Sequence, residues 1–145
     1  MTQPLVLSLT GTGEDALAEA FPAADPGLRP FGSRVLVQIR TPRKRSRGGI
    51  ILTEDVRDTE KWNTQVAKVI SLGPVAFHDR KTLAPWPEGQ WCQVGHFVRV
   101  PKYGGDRWEV SYGEQEGDQA LFIIFNDLDI IGAVDDPLAV KAYLS

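Results

Sequence analysis

The sequence predicts a small all-β domain, a barrel or a sandwich, and three observations lead to this prediction. Several short segments alternate in the way that a half-buried strand does. Turns rich in glycine and proline separate these segments, and the 145-residue chain holds 14 glycines and 10 prolines. Helical patterns occur only in short stretches near the two ends. Short strands with such turns and almost no helix are typical of barrels and sandwiches.

The strands are expected in a central block from residue 29 to residue 134. Residues 35–39 alternate with period two, which indicates a strand with one buried face. In the next strand, residues 65–72, the side chains of Val66, Ile70 and Leu72 are expected to share one face with the stem of Lys68. An irregular excursion follows over residues 74–93. Further strands are expected within residues 94–100, 108–112, 120–125 and 128–134.

The two ends of the chain are interpreted as additions to this block. Residues 1–28 hold four acidic residues and no basic one, and Leu17 and Phe21 lie on one face of a short helical pattern. We expect a partly ordered arm, with a strap onto a neighbouring chain as the alternative. In the tail, residues 135–145, Asp136 can cap a short helix and Pro137 suits its first position.

Charge is concentrated in one stretch of the chain. The net charge of −3 argues against a general nucleic-acid binder, but residues 29–47 hold seven of the 16 basic residues and no acidic one. Residues 40–49 carry no apolar side chain except that of Pro42, so we expect a mobile loop over residues 40–61. Charge alone leaves a solvated loop, a protein-docking loop and a nucleic-acid contact open, although no aromatic side chain stands among the bases to stack on nucleobases. The basic side chains of this loop are Arg43, Lys44, Arg45 and Arg47.

An apolar triplet inside this polar loop favours protein docking. Ile50, Ile51 and Leu52 stand between polar stretches, and contiguous apolar residues on a loop usually mark a partner site. Burying three such side chains contributes roughly 1.5–3 kcal/mol each, and ordering the loop takes back several kcal/mol. One loop would therefore bind weakly, whereas several loops on one oligomer would bind tightly through avidity.

Residues that carry enzyme chemistry are scarce in this sequence. A single cysteine, Cys92, rules out an internal disulfide and a multi-cysteine metal site. The two histidines, His78 and His96, lack partners at metal-ligand spacing, and Gly11-Thr12-Gly13 lacks the rest of a phosphate loop. We expect neither catalysis nor a cofactor or metal. The sequence shows no membrane span and no secretory signal, which favours the cytoplasm.

Several motifs resemble those of the GroES-type co-chaperonins. The segment Arg29-Pro30-Phe31-Gly32-Ser33-Arg34-Val35-Leu36-Val37 is similar to their opening strand, and Ser46-Arg47-Gly48-Gly49-Ile50-Ile51-Leu52-Thr53 resembles their mobile loop. Three further pieces follow in the family's order and roughly at its spacing. They are residues 66–73, residues 94–98 with Tyr103-Gly104-Gly105, and residues 127–134.

The resemblance implies a β-barrel subunit of a sevenfold ring that caps a GroEL-type chaperonin in its nucleotide-bound state and encloses a folding substrate. By position, Ile50, Ile51 and Leu52 would enter an apolar groove on the chaperonin, and Gly48 and Gly49 would allow the turn that presents them. Residues 74–93, which include Trp86 and Trp91, would form a roof hairpin over the ring's opening. ATP would be used by the partner chaperonin only.

The chain also departs from the family pattern. The loop is more basic than usual, the roof segment is longer and carries two tryptophans, and the arm and the tail helix have no counterpart in ordinary bacterial members. These departures favour a phage-encoded member that acts in the bacterial host cytosol. Two alternatives stay open, namely a virion or other structural protein that uses its arm for assembly, and a nucleic-acid-binding barrel.

Overall fold

The computed structural model describes residues 16–41, 65–114 and 118–138. These residues form one six-stranded sheet with the strand order β4-β5-β1-β2-β3-β6, and every neighbouring pair is antiparallel. The predicted all-β class is therefore confirmed. The strands are β1 (Arg34–Ile39), β2 (Val66–Leu72), β3 (Phe97–Arg99), β4 (Asp106–Ser111), β5 (Gln119–Asn126) and β6 (Gly132–Ala133), with a single 3₁₀ turn at Asp127–Asp129.

Strand β1 lies between β5 and β2 and is buried on both faces. Val35, Val37 and Ile39 point into the main hydrophobic core, called here the inner core. On the other face Leu36 is 0% exposed and Gln38 is 3% exposed. The prediction of a half-buried strand is therefore wrong, because a segment from outside the sheet covers the second face.

Residues 16–28, called here the strap, are that covering segment. Residues 16–20 form one helical turn, and the chain then continues in irregular conformation across the sheet. The Nε2 atom of Gln38 donates a hydrogen bond of 2.8 Å to the carbonyl of Pro22, and Nε1 of Trp108 donates one of 2.8 Å to the carbonyl of Pro26. The strap thereby closes an outer cluster of apolar side chains, which comprises Leu36, Ala120 and Phe122 with the partly buried Ala24, Ile70, Trp108, Val110, Tyr112 and Ile124.

A β-bulge changes which side chains of β2 face the inner core. The pairing with β1 shifts between Leu36 and Val37, which inserts one extra residue into β2. As a result Val69 and Leu72, three positions apart, both contact the inner core, and Ala67 joins them. Val66 and Ile70, by contrast, pack in clusters outside the inner core. The expectation that Leu72 shares one face with Val66 and Ile70 is therefore wrong.

Two predicted strands are shorter than expected. The segment 94–100 contributes only Phe97–Arg99, because a turn closed by the 3.0 Å hydrogen bond from His96 N to the Gln93 carbonyl precedes it. The segment 128–134 starts inside the 3₁₀ turn and contributes only Gly132–Ala133. Both strands lie at one side of the sheet, where β6 is the last strand.

Candidate functional site

The predicted docking loop lies between the adjacent ends of β1 and β2. Thr41 is the last described residue before it and Gln65 the first described residue after it. The docking residues Gly48, Gly49, Ile50, Ile51 and Leu52 lie outside the described residues, as do the basic residues Arg43, Lys44, Arg45 and Arg47. Their assignment therefore stays a prediction. The structure does describe the two roots from which this loop starts and to which it returns.

The first root, Arg40 and Thr41, is held by three backbone carbonyls. The Arg40 amide donates a 3.0 Å hydrogen bond to the Val66 carbonyl, and the Thr41 amide donates one of 2.7 Å to the Ala20 carbonyl in the strap. The guanidinium Nη1 of Arg40 donates a 2.7 Å hydrogen bond to the Pro137 carbonyl near the other end of the chain. Thr41 is 9% exposed, so this root is enclosed.

The second root, Gln65, is held by the β3 side of the sheet. Its carbonyl accepts a 2.8 Å hydrogen bond from the Val100 amide, and its Nε2 donates one of 3.0 Å back to the Val100 carbonyl. The Nη2 atom of Arg99 donates a 3.1 Å hydrogen bond to the Gln65 Oε1 atom. Each root therefore makes three hydrogen bonds to the folded part of the chain.

The two tryptophans predicted for a roof, Trp86 and Trp91, form an aromatic trio with Phe77. The ring centroids of Trp86 and Trp91 are 4.9 Å apart, and those of Phe77 lie 5.5 Å and 5.9 Å from them, respectively. Phe77 is fully buried, Trp86 packs against the inner core, and Trp91 is 37% exposed. Phe77 and Trp86 therefore attach residues 74–93 to the inner core, and Trp91 packs on these two rings.

A buried carboxylate provides a second anchor for residues 74–93 that the sequence analysis missed. Asp127 Oδ2 accepts a 2.9 Å hydrogen bond from the Phe77 amide, 50 positions away, and Asp127 Oδ1 accepts one of 2.8 Å from Leu128. Phe77 has a φ of 63°, which L-residues rarely adopt. The sequence signal for this anchor is the acidic residue that directly follows the apolar run and Asn126.

The excursion also contains a compact polar turn. Asp79 Oδ1 accepts hydrogen bonds from the amides of Lys81 and Thr82 at 2.8 Å and 2.9 Å, and these bonds lower the pKa of the Asp79 carboxyl. The Leu83 amide donates a 2.8 Å bond to the Asp79 carbonyl, and Leu83 has a φ of 62°. The turn therefore presents a leucine, 57% exposed, in a left-handed conformation.

Comparison with known proteins identifies the family of this chain. Residues 27–134 match the family described as "Chaperonin 10 Kd subunit". The chain belongs to the chaperonin 10 family. It is similar to the protein named "Co-chaperonin GroES" from Tetragenococcus halophilus, with 32% identity over 108 residues, 74% of this chain and 99% of that protein. The proteins of the same name from Cutibacterium acnes (strain DSM 16379 / KPA171202) and Methylacidiphilum infernorum (isolate V4) are 32% and 31% identical, over 74% and 77% of this chain and 95% and 97% of theirs.

The chaperonin 10 match contains every strand, both loop roots and the aromatic trio. Most of the strap precedes it, and residues 135–138 follow it. The relative from Tetragenococcus halophilus is matched over 99% of its length by 108 residues of this chain. The strap and the tail are therefore additions to a unit of the size of that relative.

Chaperonin 10 is not an enzyme family. In the described ranges no group of three or more His, Cys, Asp or Glu side chains is placed to hold a metal ion. Cys92 is buried in the inner core, and burial raises the pKa of its thiol to about 11, which keeps it protonated and unreactive near neutral pH. A helix long and apolar enough to cross a membrane does not occur among these residues.

Proposed function

We propose that this chain is a co-chaperonin that docks on a GroEL-type chaperonin in its nucleotide-bound state through Gly48-Gly49-Ile50-Ile51-Leu52. The observation that carries the proposal is the match to chaperonin 10 over residues 27–134, a range that includes this segment. Relatives that share 31–32% of their residues with this chain are named co-chaperonins. By capping the chaperonin, the protein encloses a folding substrate and needs no cofactor of its own, because ATP is used by the chaperonin.

The docking energetics require several copies of the chain. One apolar triplet contributes only a few kcal/mol after the cost of ordering its loop, which corresponds to millimolar binding. A ring that presents several loops at once binds far more tightly through avidity. We therefore propose that the chain assembles into a sevenfold ring in the bacterial cytosol, with residues 74–93 on the side of the ring's central opening.

The alternatives drawn from the sequence receive no support from the comparisons. The relatives named above are called co-chaperonins and not virion or nucleic-acid-binding proteins. They come from bacteria, so a phage origin of this chain stays a prediction. The strap also contacts the chain's own sheet through Pro22 and Pro26, so residues 16–28 need no neighbouring subunit to be held.

The test is co-sedimentation of the full chain with a bacterial GroEL-type chaperonin, without nucleotide, with ADP and with ATP. We expect the chain to sediment with the chaperonin only when nucleotide is present. Ile51→Glu should abolish this binding, because a carboxylate would have to be buried in an apolar groove. Native mass spectrometry of the free chain should give a ring whose mass is a multiple of the 16.0 kDa subunit.

A matched control separates the loop from a general effect of charge. Leu83→Glu adds the same charge at an exposed apolar side chain within residues 74–93, away from both loop roots. It should bind the chaperonin as the unchanged chain does. Absence of binding by the unchanged chain under every nucleotide condition, or equal loss in the two Glu variants, would contradict the proposed docking.

A further inference from the structure

The two segments that this chain adds to the chaperonin 10 unit meet at the roots of the predicted docking loop. Phe21 of the strap packs with Leu17, Ala20, Phe97 and Val134 over the fully buried Val66, the first residue of β2. The Phe21 and Phe97 ring centroids are 5.1 Å apart. Val134 ends the matched range and leads into the tail. The strap thus shares one small apolar cluster, called here the brace, with β2, β3 and the residue directly before the tail.

The brace is connected directly to the first loop root. The carbonyl of Ala20, next to Phe21, accepts the 2.7 Å hydrogen bond from the Thr41 amide. Arg40 reaches in the other direction and donates its 2.7 Å hydrogen bond to the Pro137 carbonyl. Two consecutive residues of this root are therefore held by the strap and by the tail, one each.

The second root is held through the same cluster. Val66 follows Gln65 directly, and Phe21 covers its side chain. The Val66 carbonyl also accepts a 3.0 Å hydrogen bond from the Arg40 amide, which connects the two roots directly next to the brace. Removal of the Phe21 ring would uncover Val66 and release the strap turn whose Ala20 carbonyl holds Thr41.

We infer that Phe21 is a positioning residue for chaperonin docking, and that the strap and tail fix the two roots of the docking loop. This inference rests on the proposed function. A segment whose ends are fixed has fewer conformations to lose when it binds, so less entropy opposes docking. The fixed roots also set the direction in which every copy of the loop leaves a ring. Small effects per copy multiply in such an assembly, because all loops bind together.

The test compares Phe21→Ala with Trp108→Phe in the full chain. Trp108→Phe removes the hydrogen bond to the Pro26 carbonyl, at the other end of the strap, and leaves the brace intact. With a twofold loss per loop, a sevenfold ring would lose about a hundredfold in affinity, because seven factors of two multiply. We therefore expect Phe21→Ala to weaken nucleotide-dependent binding at least tenfold and Trp108→Phe to leave it within about twofold.

Two further measurements separate positioning from loss of folding. Hydrogen exchange at the Thr41 amide should accelerate in Phe21→Ala by a larger factor than exchange at amides in the centre of β1. Phe21→Leu keeps a bulky apolar side chain and should restore most of the affinity and of the Thr41 protection. All binding assays are run well below the unfolding midpoint of each variant, with the mass of its ring checked.

The outcomes distinguish this inference from the proposed function. Unchanged affinity in Phe21→Ala, or equal loss in Phe21→Ala and Trp108→Phe, overturns the inference and leaves the proposed function standing. If the unchanged chain fails to bind any chaperonin, the proposed function falls and with it the coupling to docking. In that case the Thr41 exchange still decides whether the brace holds the root, and unaltered protection in Phe21→Ala overturns that part as well.

Discussion

The two faces of β1 are equally buried but are covered by different kinds of chain. The inner face, with Val35, Val37 and Ile39, packs against other strands and against residues 74–93, all within the range shared with chaperonin 10. The outer face, with Leu36 and Gln38, is closed with the help of the strap, most of which lies outside that range. A segment that lies mostly outside the range shared with chaperonin 10 therefore helps to close a second, smaller core on the outer side of this strand.

The difference predicts different modes of opening. The inner core is shared by the strands themselves, so it opens only when the sheet unfolds. The strap is attached to the sheet by the brace, by part of the outer cluster and by two side-chain hydrogen bonds to the Pro22 and Pro26 carbonyls. Such a segment can detach in a local opening that costs less free energy than global unfolding.

The largest expected effect on stability comes from comparing a substitution in the inner core with one in the strap. Phe125→Ala, in the inner core, should lower the free energy of unfolding by about 3–5 kcal/mol, because it removes a buried ring and leaves a cavity. Phe21→Ala should lower it by less, about 1–3 kcal/mol, because local detachment of the strap limits the loss. Urea unfolding of both variants measures the two values.

Hydrogen exchange provides the matching control. In Phe21→Ala the amides of Phe21 and Thr41, which donate to Leu17 and Ala20, should lose more protection than the β1–β5 amides do. In Phe125→Ala all of them should lose protection together. If urea unfolding gave the same decrease in the free energy of unfolding for both variants, and protection were lost uniformly in both, the strap and the sheet would unfold as one unit.

The sequence predicts the inner face of β1 well and its outer face poorly, and the reason is physical. The alternating pattern of residues 35–39 predicts one buried face, and Val35, Val37 and Ile39 do form the face that packs in the inner core. A polar side chain in an alternating strand usually faces water, whereas Gln38 is buried. Its partner is the backbone carbonyl of Pro22, 16 residues away, and every residue has such a carbonyl, so the sequence holds no sign of that bond.

The errors in β2 and at Asp127 have related causes. A bulge shifts the period by one residue, so Leu72 does not share a face with Val66 and Ile70 as predicted, although the strand itself was predicted correctly. Asp127 follows an apolar run as many turn residues do, and only the fold brings it to the Phe77 amide. The assignment of Ile50, Ile51 and Leu52 as docking residues rests on the apolar composition of this triplet in a polar loop and on the resemblance to the family.

The second expected effect concerns how the inner core holds residues 74–93. Asp127→Asn should lower the free energy of unfolding by about 1–3 kcal/mol, because an amide group can accept at only one of the two positions where the carboxylate now accepts. One backbone N–H, of Phe77 or of Leu128, would then face an NH₂ donor. Asp129→Asn is the matched control, since Asp129 is exposed and its 3.3 Å bond from Asn126 lies at the surface. If Asp129→Asn lowered the free energy of unfolding as much as Asp127→Asn does, the hydrogen bond between Asp127 and the Phe77 amide would not account for the effect.

The smallest expected effect compares two residues that share one backbone conformation. Phe77 and Leu83 have φ values of 63° and 62°, but Phe77 is fully buried and Leu83 is 57% exposed. The left-handed conformation costs an L-residue about 1–2 kcal/mol, which a substitution by glycine removes. Glycine also has more freedom in the unfolded chain, and this cancels about 0.4–1 kcal/mol of that gain.

Leu83→Gly should therefore raise the free energy of unfolding by about 0.5–1 kcal/mol, because it relieves the backbone and removes little packing. Phe77→Gly should lower it by several kcal/mol, because the loss of a buried ring exceeds the same relief. Thermal unfolding of the two variants checks both signs. A rise for Leu83→Gly would mean that the left-handed conformation costs more free energy than the packing of the leucine side chain in its turn contributes. A fall would mean that the leucine stabilises its own turn by more than the left-handed conformation costs.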